Sequence, residues 1–134
     1  MAADKKAHLN KNDLAEVEIY AQVKRFRHAD HYRLFASKRP CEQLGAEQVI
    51  DSSRLQGTGP GMVEVFVPLG SVLYICVAGL NTDDQVIALG GYEKNPVTCQ
   101  GEGEIVFRDI EITLKANVDR KSFPKNAPPL PSRR

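Results

Sequence analysis

Seven consecutive apolar residues, Val72–Ala78, stand between Gly70-Ser71 and Gly79. The run is far short of the ~18 residues that a membrane-spanning helix needs. It shows no alternation, so it reads as a central strand covered on both faces. A chain with such a strand must supply other sheet or loop surface above it and below it.

The flanking segments supply that surface. In Val17–Phe26, Val17, Ile19, Ala21 and Val23 alternate with Glu18, Gln22 and Lys24, which is the period of a half-buried strand. Arg27–Asp30 reads as a turn. Tyr32–Ser37 reads as a second strand, ended by Lys38-Arg39-Pro40 because proline removes a ladder donor. Residues 41–61 are irregular, with one short helical turn or an irregular edge expected within Glu42–Ile50. Gly57-Thr-Gly-Pro-Gly61 is a loop. Val63, Val65 and Val67 form one face of a further strand, stopped at Pro68-Leu69-Gly70. Gly79 to Asp84 is a hairpin connection, Gln85–Tyr92 another strand, and Asn95-Pro96 a turn.

The segment Glu104–Lys115 changes parity. Ile105 and Phe107 are odd, whereas Ile110, Ile112 and Leu114 are even. One extra residue near Arg108-Asp109 restores the register, so a β-bulge is expected there. The alternative is two strands that switch sheets. The fold class expected from these elements is all-β: a six- to eight-stranded sandwich or small barrel over residues 14–116. A polar N-terminal arm, 1–13, precedes it. A basic tail, 117–134, carries Pro124, Pro128, Pro129 and Pro131 and has too few apolar residues to fold alone.

Cys41, Cys76 and Cys99 form no C-x-x-C pair, which argues against a zinc or redox motif. Cys76, inside the apolar run, reads as a buried small hydrophobe. Cys41 and Cys99 lie near strand ends and are the pair that an exported protein would oxidise. No secretory h-region follows Met1. A native Met1 would place the protein in the cytoplasm or a virion; a removed leader would place it in the periplasm.

Charge is unevenly spread. Lys115–Arg134 carries Lys115, Arg120, Lys121, Lys125, Arg133 and Arg134 against Asp119, or +5. Lys24–Arg39 carries six bases against Asp30, again +5. The remaining 6 basic and 15 acidic residues leave −9, in a chain whose net charge is only +1. Basic segments can therefore meet acidic ones within the fold, or between subunits arranged head to tail.

Chemistry-bearing motifs are sparse. Lys24, Arg25, Phe26, Arg27, Tyr32 and Arg33 interleave bases with aromatics, as single-stranded nucleic-acid binders do. The balanced total charge argues against such a module. His28, Asp30 and His31 offer three ligands on a turn, but no fourth ligand is evident, so no metal is expected. Glycine-rich 57–61 and 101–103 lack the lysine and helix of a phosphate loop, and no cofactor is implied. Ser52, Ser53 and Ser71 have no nucleophile-elbow setting, so an enzyme is not expected. Pro128-Pro-Leu-Pro131 could engage an aromatic groove as a polyproline ligand.

One stretch resembles a known family. Val63-Glu-Val-Phe-Val-Pro-Leu-Gly-Ser-Val-Leu-Tyr-Ile-Cys-Val-Ala-Gly79, then Ala88-Leu-Gly-Gly-Tyr92, Asn95-Pro-Val-Thr98 and Asp109-Ile-Glu-Ile-Thr-Leu114, is similar to the second half of transthyretin-like, carboxypeptidase-regulatory-like domains. The resemblance covers about residues 63–114 and implies a transthyretin- or immunoglobulin-like β-sandwich, often in exported bacterial proteins. The hydrolases of that fold end in Tyr-Arg-Gly-Ser; this chain ends Leu-Pro-Ser-Arg-Arg, so their activity is not implied.

The function expected is a non-catalytic protein–protein interaction or assembly module of a virion or secretion-type structure. Its arm and its tail residues Arg120, Lys121, Lys125, Pro128, Pro129, Pro131, Arg133 and Arg134 would dock on other subunits, itself among them. The alternatives are a periplasmic transthyretin-like binding protein or lipoprotein, and a single-stranded nucleic-acid binder.

Overall fold

A computed structural model describes residues 13–101, 103–117 and 122–124. The N-terminal arm and most of the tail, including Arg120, Lys121, Lys125, Pro128, Pro129, Pro131, Arg133 and Arg134, lie outside the described residues. The chain is nearly all β, with two sheets in a sandwich-like arrangement. The described strands are β1 (Leu14–Val23), β2 (His31–Ser37), β3 (Val49–Arg54), β4 (Gly61–Pro68), β5 (Val72–Leu80), β6 (Val86–Gly91), β7 (Val97–Thr98), β8 (Glu104–Ile112) and β9 (Lys115–Ala116).

The smaller sheet has the order β4-β1-β8, with β1 antiparallel to β4 and parallel to β8. The larger has the order β3-β2-β5-β6-β9, with β7 also paired to β5. Strand β5 takes β2 on one side and β6 on the other, so the apolar run is central. The inner core joins Val17, Ile19 and Ala21 of β1 to Leu34 and Ala36 of β2 and Leu73, Ile75 and Val77 of β5.

Alternate residues of the larger sheet build a second cluster on its outer face. Phe35, Cys76, Ala78, Leu80 and Val86 are covered there by Cys41, Val49 and Phe123. From Ile75 to Ala78 the run lacks alternation because both faces are covered, whereas Val72 at its start is exposed. A short 3-10 turn at Cys41–Gln43 forms part of the lid.

The lid corrects the cysteine assignment. Cys41 is bonded to Cys76, and Cys99 is a buried free thiol. Cys76 is therefore buried, as expected, but not as a free thiol. Cys99 belongs to the inner core, whereas Cys41 belongs to the outer cluster. The thickness of the sheet separates them, so the Cys41–Cys99 pair cannot form.

The bulge in β8 falls where the parity change put it. Ile19 pairs with Phe107 and Ala21 with Ile110, so Arg108 and Asp109 together oppose Tyr20. Asp109 has φ 57°, a left-handed conformation that Asp tolerates better than most residues. After Ile112 the chain crosses to the larger sheet as β9, so bulge and sheet switch occur together. Gly90 permits that crossing: a Cβ there would land on the carbonyl oxygen of Thr113.

Strand β3 was not expected. Its Asp51-Ser52-Ser53 segment is only half-buried, so apolar periodicity does not mark it. It forms by pairing along β2 at the edge of the sheet.

Candidate functional site

The outer face of the smaller sheet is the most unusual surface. Residues 16, 18 and 20 of β1 point outward while 15, 17, 19 and 21 are buried. The antiparallel register sets Glu18 opposite Glu64 and Glu16 opposite Phe66. The parallel register sets Glu16 beside Glu104 and Glu18 beside Val106. Four carboxylates thus share one face. Like charges directly opposite one another destabilise a sheet.

Carboxylate oxygens of Glu16, Glu18 and Glu64 lie within 4.8 Å of one another. Such a cluster could hold one hard cation by oxygen. It could equally receive the ammonium or guanidinium of another chain. The Glu104 carboxyl is pushed above its ordinary value, first by a hydrogen bond with Glu18 and then by the charges of Glu18, Glu16 and Glu64. Tyr20 donates a hydrogen bond to Glu18 Oε1 at 3.0 Å, and that bond raises the phenol's pKa. The Arg108 guanidinium lies over the Tyr20 ring, 5.3 Å from its centre.

Large apolar residues flank the carboxylates. Met62 is 41% and Phe66 55% exposed on β4, Leu69 is exposed in the turn that follows, and Val72 is exposed at the start of β5. Sequence reading could see that Glu16 and Glu18 share a face of one strand. It could not see Glu64 and Glu104, which depend on the cross-strand register.

The basic-aromatic hairpin is divided between two environments. Lys24, Arg25 and Arg27 are exposed. Tyr32 is buried, and its hydroxyl accepts a hydrogen bond from the Phe26 backbone N–H at 2.8 Å. Phe26 packs on the inner core. Tyr32 therefore offers no open face for a stacked base, and Phe26 is half-buried. Arg33 points to the opposite side of the larger sheet, over Phe123.

His28 is exposed. His31 sits between two carboxylates: Nδ1 is 2.8 Å from Asp30 Oδ2, and Nε2 is 3.0 Å from Asp84 Oδ1. Both ring nitrogens of His31 are thus occupied by protein partners. The one group of His, Cys, Asp and Glu side chains close enough to share a metal, among the described residues, is the glutamate trio.

The outer face of the larger sheet carries a groove of about 530 Å³ beside the disulfide, lined by Glu42, Tyr74, Tyr92, Asn95 and Lys115 among others. Asn95 closes one end. Its side chain accepts a hydrogen bond from the Ile75 N–H and donates one to the Ile75 carbonyl, both at 2.9 Å. It thus takes the place of a neighbouring strand between β6 and β7. Among the described residues no helix is long and apolar enough to cross a membrane. Comparison of the chain with protein-family models and with curated proteins gives no match.

Proposed function

We propose that this chain is a non-catalytic interaction module that assembles with protein subunits, its own copies among them, through the glutamate face of the smaller sheet. The observation that carries this reading is the pairing of Glu18 with Glu64 and of Glu16 with Glu104 directly across the strands. A sheet that served only as a solvated surface would gain stability by alternating its charges. Crowded carboxylates beside Phe66 and Met62 suit a basic, partly apolar partner, whose cations would relieve the repulsion. The chain carries such a segment itself in Lys115–Arg134, at +5. Complementary potentials of this kind set register and encounter rate more than affinity.

The test is the mass of the full chain in solution, read by light scattering at low and at high salt. A mass above one chain at low salt is expected, falling towards one chain as salt screens the contact. The double variant Glu16→Lys, Glu18→Lys should lose the assembly while remaining folded. A chain that stays monomeric at low salt refutes self-assembly. An assembly indifferent to both salt and charge reversal refutes the glutamate face as its site.

A further inference from the structure

The groove beside the disulfide has the chemistry of a site for an extended chain. Two half-buried tyrosines, Tyr74 and Tyr92, line it. Neither hydroxyl has a hydrogen-bond partner among the described residues. The Tyr92 N–H bonds the Ile75 carbonyl of β5, and the next residue back, Gly91, lies opposite Cys76. Bonding directions alternate along an antiparallel pair, so the Gly91 N–H and carbonyl point away from β5. On that side β9 reaches only to Lys115, opposite Leu89, because the chain is still crossing from the smaller sheet at Thr113. The sheet edge at Gly91 is thus left open to the groove. Its volume of about 530 Å³ lies within the ~300–1,000 Å³ of small-ligand sites. Polyproline recognition needs aromatic side chains for the pyrrolidine rings and an N–H donor for the carbonyls, since proline has no N–H to give.

The C-terminal segment is delivered to the same face. The Phe123 ring meets Phe35 edge-on, with centres 5.3 Å apart. Phe35 pairs with Cys76 on β5, and Cys76 is bonded to Cys41, which walls the groove. One ring contact and one strand spacing, together about 10 Å, therefore separate Phe123 from that wall. Pro124 follows and is half-buried.

We propose that this groove is a docking site for an extended proline-rich segment, and that its occupant is the chain's own Pro128-Pro129-Leu130-Pro131. The length suffices. Pro128 is four residues beyond Pro124, which at ~3.1 Å per residue of polyproline is about 12 Å. The charge agrees, because Arg133 and Arg134 follow the prolines and Glu42 stands exposed on the rim. A proline run is already extended before it docks, so little backbone entropy opposes the contact. Seated in cis, the segment closes the groove to other proline-rich chains.

The experiment keeps the full chain and changes only its tail. Pro128→Ala, Pro129→Ala and Pro131→Ala together should empty the groove. The probe is a labelled synthetic peptide of residues 126–134, titrated by fluorescence anisotropy at high salt and mapped by amide NMR shifts. It should bind the triple variant. It should bind the parent about tenfold more weakly, because the parent's own segment competes at an effective concentration of about 1 mM. The shifts should gather at Tyr74, Leu89, Gly91 and Tyr92, and a peptide with alanine at the three proline positions should not bind. A 126–134 peptide that fails to bind the triple variant overturns the proposal, as do shifts that lie away from the groove. Equal affinity for parent and variant refutes the chain's own segment as occupant. Adding Tyr92→Ala to the triple variant should abolish binding; Tyr92 also packs on the inner core, so if that chain fails to fold the shift map decides. The groove and the glutamate face lie on opposite outer faces of the sandwich, and high salt screens the latter, so failure of either reading leaves the other standing.

Discussion

Replacing Asn95 by alanine removes both halves of a substitute ladder. Ile75 has no exposed surface, and its N–H has Asn95 Oδ1 as acceptor. Its carbonyl keeps a second donor, the Tyr92 N–H at 2.9 Å, so that oxygen is not orphaned by the change. The cost therefore falls on one buried N–H, about 1–3 kcal/mol, with the lost amide-to-carbonyl bond adding about 1 kcal/mol. Water entering from the adjoining groove would satisfy part of the vacancy, which places the expected total near 2 kcal/mol. At roughly 4 °C per kcal/mol for a domain of this size, the midpoint should fall by about 8 °C. The assays are thermal and urea unfolding of the oxidised protein, with Thr98→Ala as an exposed control. Asn95→Asp keeps the acceptor for Ile75 N–H but places a carboxylate oxygen against the Ile75 carbonyl, so it should not rescue the loss at neutral pH. If Asn95→Ala unfolds within about 0.5 kcal/mol of the parent, the size of a neutral surface change, the side chain is not replacing a strand and the reasoning fails.

Four further outcomes are expected. Reducing Cys41–Cys76, which closes a 35-residue separation, should cost about 4 kcal/mol from loop entropy, measured as the urea midpoint with and without reductant. Without reductant, thiol titration should find Cys99 alone, and only after unfolding, because burial both shields it and raises its pKa. Gly90→Ala should destabilise by about 3 kcal/mol, since its Cβ meets the Thr113 backbone and the crossover has no flexible side chain to yield; an unchanged melting midpoint would contradict the crossover geometry. Glu104 has a raised folded pKa, so the folded state binds its proton more tightly than the unfolded state does. The repulsion is therefore present above the folded pKa and is relieved as pH falls through it towards the ordinary carboxyl value of 4.5. Glu104→Gln should stabilise the protein at pH 7, with the gain shrinking as pH approaches that range; an equal gain at both ends would sink the like-charge account.

Local pattern decided much of this architecture. The alternation of Val17, Ile19, Ala21 and Val23 set the buried face of β1, because side chains of a strand alternate strictly. The parity change between Phe107 and Ile110 marked the bulge for the same reason, since an extra residue is the only way to keep both halves facing one core. The unalternated run Val72–Ala78 required cover on both faces.

What covers that run was decided only in three dimensions. The lid comes from Cys41, Val49 and Phe123, which are far from β5 in the chain and carry no shared periodicity. Cysteine spacing left the pairing open, and the side of the sheet on which each thiol lies chose Cys76 over Cys99 as the partner of Cys41. Strand β3 owes its existence to an edge beside β2, not to its own polar residues. The glutamate face arises in the same way. Glu16 and Glu18 belong to one strand, but register alone sets Glu64 and Glu104 against them. Strand parity is a local property of the backbone and can be read from the sequence. Cross-strand neighbours and the two sides of a sheet are relations between distant segments, so they exist only once the sheets have packed.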